Sequence, residues 1–350
     1  MASTEEQIAE LNKSVSAADI PQELKTRITT RLEQLLGLTS SSTFLPEFDN
    51  IRRYIDWVVP LPWNKRTQDT LDLAKAKEIL DGHHYGLSEI KARILEYLSV
   101  MKLKKEKGEG DDVLRAPILC FVGLVGTGKT TIASSIAEAM GRGFARIPFG
   151  GMGDPLDLRG QSRQHAEAEP GKVIKALRTT GSKNTVILLD EIDRVTEEGR
   201  SSIMGVLVEL LDPGQNKDFV DHYVDYPFDL SECLFVATAN NTTNLATAVV
   251  DRLEPIRMPS YTDEEKIAIG KMYMLPKLLK QAGVPKELIK IDEEVWSQVV
   301  RPLGFDAGMR TLERTIQGIV RKVAWEMVEH PSDRKLFNVT MQNIKEFLPQ

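Results

Sequence analysis

Apolar positions along this chain fall into two kinds of run, which together sketch an alternation of strands and helices. Three stretches are saturated with strand formers: APILCFV from Ala116 to Val122, TVILLDEID from Thr185 to Asp193, and CLFVATAN from Cys233 to Asn240. Strands apolar on both faces belong to a parallel sheet covered on both sides. Phe144–Phe149 reads as a further strand. Around these runs, apolar residues repeat at helical spacing. Leu24, Ile28, Leu32 and Leu35 share one face after the helix start Pro21-Gln-Glu-Leu, so residues 4–36 read as two helices, ended by Gly37 and the polar cluster Thr39–Thr43. From Glu47 to Trp63, charges alternate with Phe48, Ile51, Tyr54, Ile55, Trp57, Val58 and Val59, before a rigid corner made by Pro60, Pro62 and Trp63. That corner packs in a local core, against the next domain, or against a neighbouring subunit.

Downstream, Ala74–Leu80 reads as a short helix broken at Gly82, and Ser88 to about Lys105 as a long one. EKGEGDD, Glu106–Asp112, is expected to be a charged surface loop. Ile132–Met140, Lys172–Leu177 and Ser202–Leu211 read as helices, the last interrupted by Asp212-Pro-Gly. Pro259 and Pro276 punctuate a new pattern that begins at Thr262, with helices over 263–281, 293–300 and 308–328 and a short strand at Lys335–Thr340. The expected division is an N-terminal helical arm over 1–65, an α/β domain over 66–259, and a smaller, mostly helical domain over 260–350. No internal repeat is evident.

A chain of 350 residues has room for two or three domains. Hydrophobic residues make up 41% and charged residues 27%, which places it among soluble globular proteins. With 45 basic and 51 acidic residues the formal charge is −6, which disfavours a general nucleic-acid binder and leaves only a local basic face as an opening. No apolar run is long enough to cross a bilayer, so no membrane partner is expected, and the Met1-Ala-Ser-Thr start carries no apolar targeting segment. Cys120 and Cys233 lie inside apolar runs and read as buried thiols rather than a disulfide framework.

The chemistry is concentrated where strands end. GLVGTGKTT, Gly123–Thr131, follows the first apolar strand and opens a helix, which is the context that gives a GxxxxGK[ST] pattern its meaning as a phosphate-binding P-loop. Backbone N–H groups around Gly126 and Gly128 make a nest for phosphates at a helix start. Lys129 reaches the β and γ phosphates, and the Thr130 hydroxyl binds Mg2+. In the second saturated strand, Asp190 is placed to hold Mg2+ through water and Glu191 to orient and deprotonate the attacking water. Asn240 ends the third strand, either as a hydrogen-bonding sensor of the γ-phosphate or as a capping residue. Arg252 lies near the domain rim. The adjacent His83 and His84 have no metal-ligand cluster around them and read as a turn beside the nucleotide base. Gly150–Pro170 is a long Gly- and Arg-rich loop of the kind that serves binding.

With these residues in place, the chain resembles the ATPase module of the Lon family of AAA+ proteases along nearly its whole length. The resemblance is carried by PLPW at Pro60–Trp63, HYGL at His84–Leu87 and ILEYL at Ile94–Leu98. It is carried further by LLDEID at Leu188–Asp193, LLDPGQN at Leu210–Asn216 and FVDHYVDYPFDLS at Phe219–Ser231. It implies an α/β P-loop fold with a helical lid, ATP and Mg2+ as ligands, and a ring of identical subunits, usually a hexamer. The ring would couple hydrolysis to protein substrate handling in quality control. It further implies that the P-loop residues Gly123, Leu124, Val125, Gly126, Thr127, Gly128, Lys129, Thr130 and Thr131 hold the nucleotide phosphates. His84, Tyr85 and Gly86 would flank the adenine. Asn240 would be sensor 1, Arg252 the arginine finger, and Arg310, in GMRTLER, the sensor 2 residue of the lid.

The chain also departs from the family. Leu124-Val125 replaces the usual Pro-Pro. In the stretch Gln161–Pro170, His165-Ala166 stands where the first pore loop carries an aromatic–aliphatic gripping pair, and Glu197–Ile203 departs in the second pore loop. A small, polar, acidic loop offers little apolar area to hold a moving chain. Hydrolysis is therefore expected to survive while generic threading is weakened, so a non-proteolytic nucleotide-controlled switch, scaffold or chaperone is the alternative reading. No Ser–Lys protease dyad context lies within these residues, which fits either the ATPase part of a longer protease or an ATPase-only relative. The compartment stays open between mitochondrial matrix, peroxisome and cytoplasm.

Overall fold

The computed structural model describes residues 4–37, 41, 43–107, 117–165, 167–301, 308–330 and 336–348. Three helices open the chain: α1 (Thr4–Ala17), α2 (Gln22–Leu36) and α3 (Phe44–Val58). The 3.6-residue spacing noted in α2 buries Leu24, Ile28, Leu32 and Leu35 on one side. In α3 the mixture of charged and large residues resolves the same way, burying Phe44, Phe48, Ile51, Tyr54, Ile55 and Val58. The proline corner packs within the chain. Trp63 donates its Nε1–H to the Val58 carbonyl at 2.9 Å, and its ring centroid lies 4.9 Å from that of Phe228 and 5.8 Å from that of Tyr226. The arm is thereby fastened to the body that follows.

Next come α4 (Leu73–His83), α5 (Ser88–Glu106) and β1 (Ile118–Val122). Gly82 does not break α4, contrary to the sequence expectation. It sits one residue from the helix end, and the space beside its Cα is open, so it costs the helix only propensity. Most of the expected loop at 106–112 lies outside the described residues, as do Ala116 and Lys335 at the starts of two expected strands. After β1 the chain runs through α6 (Lys129–Met140), β2 (Phe144–Pro148), α7 (Leu156–Arg159), α8 (Lys172–Thr180) and β3 (Val186–Asp190). Then come α9 (Arg200–Leu211), the small antiparallel pair β4 (Phe219–Val220) and β5 (Pro227–Phe228), β6 (Leu234–Ala239), α10 (Thr247–Val250) and β7 (Leu253–Arg257).

The large sheet is five-stranded, in the order β2-β3-β6-β1-β7, and every pairing in it is parallel. Alternation within each strand feeds two separate cores. Leu119, Phe121, Val186, Leu188, Leu234 and Val236 pack with α4, α5 and α6 on one face. Cys120, Ile187, Leu189, Phe235 and Ala237 pack on the other, in a cluster that also takes in the three arm helices. Strand β7 escaped the sequence reading because Glu254, Pro255 and Arg257 interrupt its apolar run. An edge strand tolerates such residues, proline included.

The remaining elements bury their own core. Helix α11 (Asp263–Ile269) starts with a capping box in which the Thr262 side chain and Glu265 satisfy each other's backbone N–H groups. It passes through a π-turn at Gly270–Met274 into α12 (Leu275–Ala282). Pro276 therefore lies inside a continuing helix rather than ending one. The wider i→i+5 turn just before it accommodates a residue without an N–H. Beyond lie β8 (Ile289–Ile291), α13 (Trp296–Val300), α14 (Arg310–Glu329), β9 (Phe337–Val339) and α15 (Ile344–Phe347), with β8 and β9 paired in parallel. Among the described residues no helix is long and apolar enough to cross a membrane.

Candidate nucleotide site

The loop between β1 and α6 runs through two left-handed glycines, Gly126 at φ +84° and Gly128 at φ +92°. Residues with a Cβ rarely adopt this backbone. Gly128 caps α6, so N–H groups without intrahelical partners converge on the loop's interior. Lys129, the first residue of α6, is buried, and its ammonium donates to Gly123 O at 2.5 Å, Leu124 O at 3.0 Å and Asn240 Oδ1 at 3.2 Å. Burial lowers the Lys129 pKa from its ordinary value, while Glu191, Asp190 and Asp193 pull it back up. The end of β6 thus meets the P-loop lysine directly. The Asn240 Nδ2 is buried with no hydrogen-bond partner, so one donor beside that lysine is unspent.

The end of β3 supplies the acidic side. Asp190 Oδ2 accepts from Arg146 Nε at 2.7 Å and lies 2.6 Å from Arg146 Nη2, while Oδ1 accepts from the Thr238 hydroxyl at 2.5 Å. Any cation brought to Asp190 competes with the Arg146 guanidinium for the same carboxylate. The Glu191 N–H donates to Thr238 Oγ1 at 2.8 Å, with Glu191 itself left-handed at φ +57°. A non-glycine residue held there carries strain of order 1 kcal/mol, which the Thr238 bond helps to hold. Arg194 lies near the Glu191 carboxylate, at 3.8 Å. Neither Arg146, Arg194 nor Thr238 was singled out from sequence. Arg146 and Thr238 could have been found by carrying the strand alternation of β2 and β6 to their carboxyl ends.

A cavity of about 750 Å3 joins these groups to the helical domain, a size suited to a nucleotide-like ligand. Among its walls are His84, Tyr85, Val125, Gly126, Gly128, Lys129, Thr130, Thr131, Asp190, Glu191 and Arg310, all picked out from the sequence. Gly86, Gly123, Leu124, Thr127 and Asn240 stand behind or beside the walls. Gly86 faces Glu265 of α11, Thr127 is buried, and Leu124 is 53% exposed. The helical domain is seated on the P-loop: Met309 donates its N–H to Gly126 O at 3.1 Å, at the start of α14, which puts Arg310 and Glu313 into the wall. Tyr261 also lines the cavity and donates from its hydroxyl to Thr127 O at 3.3 Å.

Arg252 lies outside this cavity. Its Nη2 pairs with Asp212 Oδ2 at 2.7 Å and its Nη1 donates to Ala248 O at 2.7 Å, at the rim of the molecule. The loop Gln161–Glu169 closes on itself through Gln161 N to Glu169 O at 3.2 Å. His165 is exposed on that loop, and Ala166 lies outside the described residues. In the Glu197–Ile203 stretch, Arg200 begins α9 and Ile203 is fully buried, which removes Ile203 from any projecting surface.

The donor set fits a magnesium nucleotide: a nest built on two left-handed glycines, a lysine and an arginine converging from two domains, and a hydroxyl with paired carboxylates. Among the described residues no cluster of three His, Cys, Asp or Glu forms a metal cage.

Comparison with known proteins agrees with this geometry. A family described as ATPase family associated with various cellular activities (AAA) matches residues 119–261, and one described as Lon protease AAA+ ATPase lid domain matches residues 280–336. The chain is 42% identical over 349 residues to Lon protease 2 of Thermus thermophilus, an alignment covering 98% of this chain and 43% of that protein. It is 43% identical over 345 residues to the Lon protease of Lawsonia intracellularis, covering 98% and 40%. Against the Lon protease of Clostridioides difficile it is 42% identical over 323 residues, covering 92% and 40%. The chain therefore spans about two fifths of the length of the curated relatives it matches.

Proposed function

The chain belongs to the Lon protease family as its AAA+ ATPase module, and from that premise we propose that it binds and hydrolyses MgATP and couples the cycle to handling of protein substrates. The observation that carries the reading is one cavity lined by Lys129 and Thr130 from α6, Asp190 at the end of β3 with Glu191 just beyond it, and Arg310 from the helical domain. The P-loop nest binds the phosphates. Lys129 leaves its contacts with Gly123 O and Leu124 O to neutralise their charge, and Glu191 holds the attacking water and takes its proton. Mg2+, when bound, would supply neutralisation of phosphate charge, and Thr130 and, through water, Asp190 would hold it. Asn240, tied to Lys129, reports which nucleotide is present, and Arg310 carries that information into the helical domain. His84, Tyr85 and Gly86 flank the base. Arg252, facing away from its own cavity, serves a neighbouring subunit's site in a ring of identical chains.

The test is Glu191→Gln, which keeps the side-chain shape but cannot accept a proton. Multi-turnover hydrolysis should fall by at least about a hundredfold, the lower range for loss of a general base. ATP affinity by calorimetry should stay near that of the unmodified protein. A steady-state rate close to the unmodified one would remove Glu191 from the chemistry. A second reading, a nucleotide-controlled switch rather than a threading motor, is favoured by one observation: the Gln161–Glu169 loop presents His165 and acidic residues where grip would be needed, and its Arg163 is stacked onto the arm.

A further inference from the structure

A second cavity, of about 820 Å3, lies between the arm and that loop and shares no residue with the nucleotide site. Helices α2 and α3 form its floor, with Ile28, Ile51 and Tyr54 as the apolar part, and the loop and the turn at Asp225 form its wall. Tyr54 is the fixed point. Its hydroxyl donates to Val224 O at 2.8 Å, and the Arg163 guanidinium carbon lies over its ring at 3.9 Å from the centroid. Arg163 also pairs with Asp225 Oδ2 at 3.7 Å, beyond hydrogen-bond length. Arg27 and Arg31, one helical turn apart on α2, reach the same groove.

Their present partners are easily exchanged. Arg27 pairs with Asp225 at 3.0 Å and Arg31 with Glu47 at 2.7 Å, and all four side chains are 41–57% exposed. Ion pairs that exposed contribute little, so a carboxylate arriving from outside can replace them at small cost. Three arginines against two carboxylates leave a positive balance in the groove, on a chain whose formal charge is −6. Asn50, Ser162 and Gln164 add amide and hydroxyl groups suited to a polypeptide backbone.

We propose that this groove binds an acidic polypeptide segment, with Arg31 and Arg163 taking its carboxylates and the buried Tyr54 supporting Arg163 from beneath. The loop that lacks gripping side chains is thereby a wall of a binding site. The proposal deepens the protein-handling part of the proposed function and rests on that part alone, since the nucleotide cavity can fail or hold independently.

The experiment is fluorescence anisotropy with a labelled poly-glutamate peptide, with poly-lysine and inorganic polyphosphate as competitors, and ATPase recorded in parallel. Poly-glutamate should bind and weaken as salt is raised. Arg31→Gln and Arg163→Gln should each weaken it about tenfold. Glu47→Gln should tighten it, because that change removes a competing carboxylate without touching the arginines. This gain also guards against reading a misfolded variant as a lost contact. Poly-glutamate binding unchanged in both arginine variants, or poly-lysine binding equally well, overturns the proposal. Polyphosphate binding without peptide binding overturns it too, by making the groove a phosphate site. Failure of the unmodified protein to bind poly-glutamate while it hydrolyses ATP condemns only the groove; binding without ATPase condemns only the nucleotide reading.

Discussion

Ser135 Oγ lies 3.0 Å from His83 Nδ1 and 3.0 Å from His84 Nε2. One hydroxyl proton can serve only one of the two rings, so the other must present its own N–H to the oxygen. The pair the sequence offered as a turn beside the base is thus wired into α6, behind the P-loop. Burial, then the neighbouring His83 and Lys91, push the His84 pKa down from its ordinary 6.5 to about 4, against a hydrogen bond to the Thr131 backbone that favours the charged form. The unfolded chain takes up this proton near 6.5 and the folded chain only near 4, so the unfolded state binds more protons in between. Stability from this group is complete above 6.5 and is lost as pH falls toward 4. Between pH 7 and pH 5 the loss should be roughly 2 kcal/mol. Urea midpoints at the two pH values, compared with those of His84→Gln, measure it: the variant should show a smaller drop than the unmodified protein. Parallel drops would mean that His84 titrates freely in the folded state.

At the scale of elements, two fasteners decide how helices meet the sheet. One is the Trp63 corner, where a 7% exposed indole donates to Val58 O and lies against Phe228 and Tyr226. Trp63→Ala should cost about 3–5 kcal/mol, the range for truncating a large buried aromatic, because the rigid proline-flanked backbone cannot collapse into the gap. The check is a lowered urea midpoint together with faster proteolysis of the 1–65 segment. An unchanged midpoint would mean that the arm is held by α1–α3 packing alone. The other fastener is Asp221, whose carboxylate accepts from the N–H groups of Gly171, Tyr223 and Val224 at 2.7–3.1 Å. It joins the base of the Gln161–Glu169 loop to the turn that carries Asp225. A Cβ at Gly171 would lie 2.0 Å from Leu158 O, so only glycine fits this junction. The elements β7 and β8 depend on such neighbours, and for that reason their sequences carry weak signals of their own, whereas the strand at β9 was legible in Lys335–Thr340.

Over the whole molecule, the parallel order β2-β3-β6-β1-β7 brings the carboxyl ends of β1, β3 and β6 together, and the helical domain closes the resulting crevice. Arg252 does not line this crevice and is held by Asp212 and Ala248. If it completes a neighbour's site, Arg252→Ala and Glu191→Gln subunits should each be nearly inactive alone. Mixed, they should recover a measurable part of the hydrolysis, because one supplies the finger and the other the base. No recovery in mixtures shown by mass measurement to contain both subunits would confine Arg252 to its own chain.

The order of apolar runs, the P-loop and the two strand-end carboxylates could be read without coordinates. Each is a local statement: a strand buried on both faces must be apolar throughout, and a phosphate nest needs its glycines at fixed spacing. The helices of α2 and α14 were legible for the same reason, since a single face carries the signal. What only the tertiary structure decided is who meets whom. Arg146 on Asp190, Thr238 between the Asp190 carboxylate and the Glu191 backbone N–H, Ser135 between two histidines and Arg163 on Tyr54 join residues 44 to 109 positions apart along the chain. No period or spacing encodes such pairs. They arise because strand order and helix packing bring together side chains whose local sequence gives no reason to single them out.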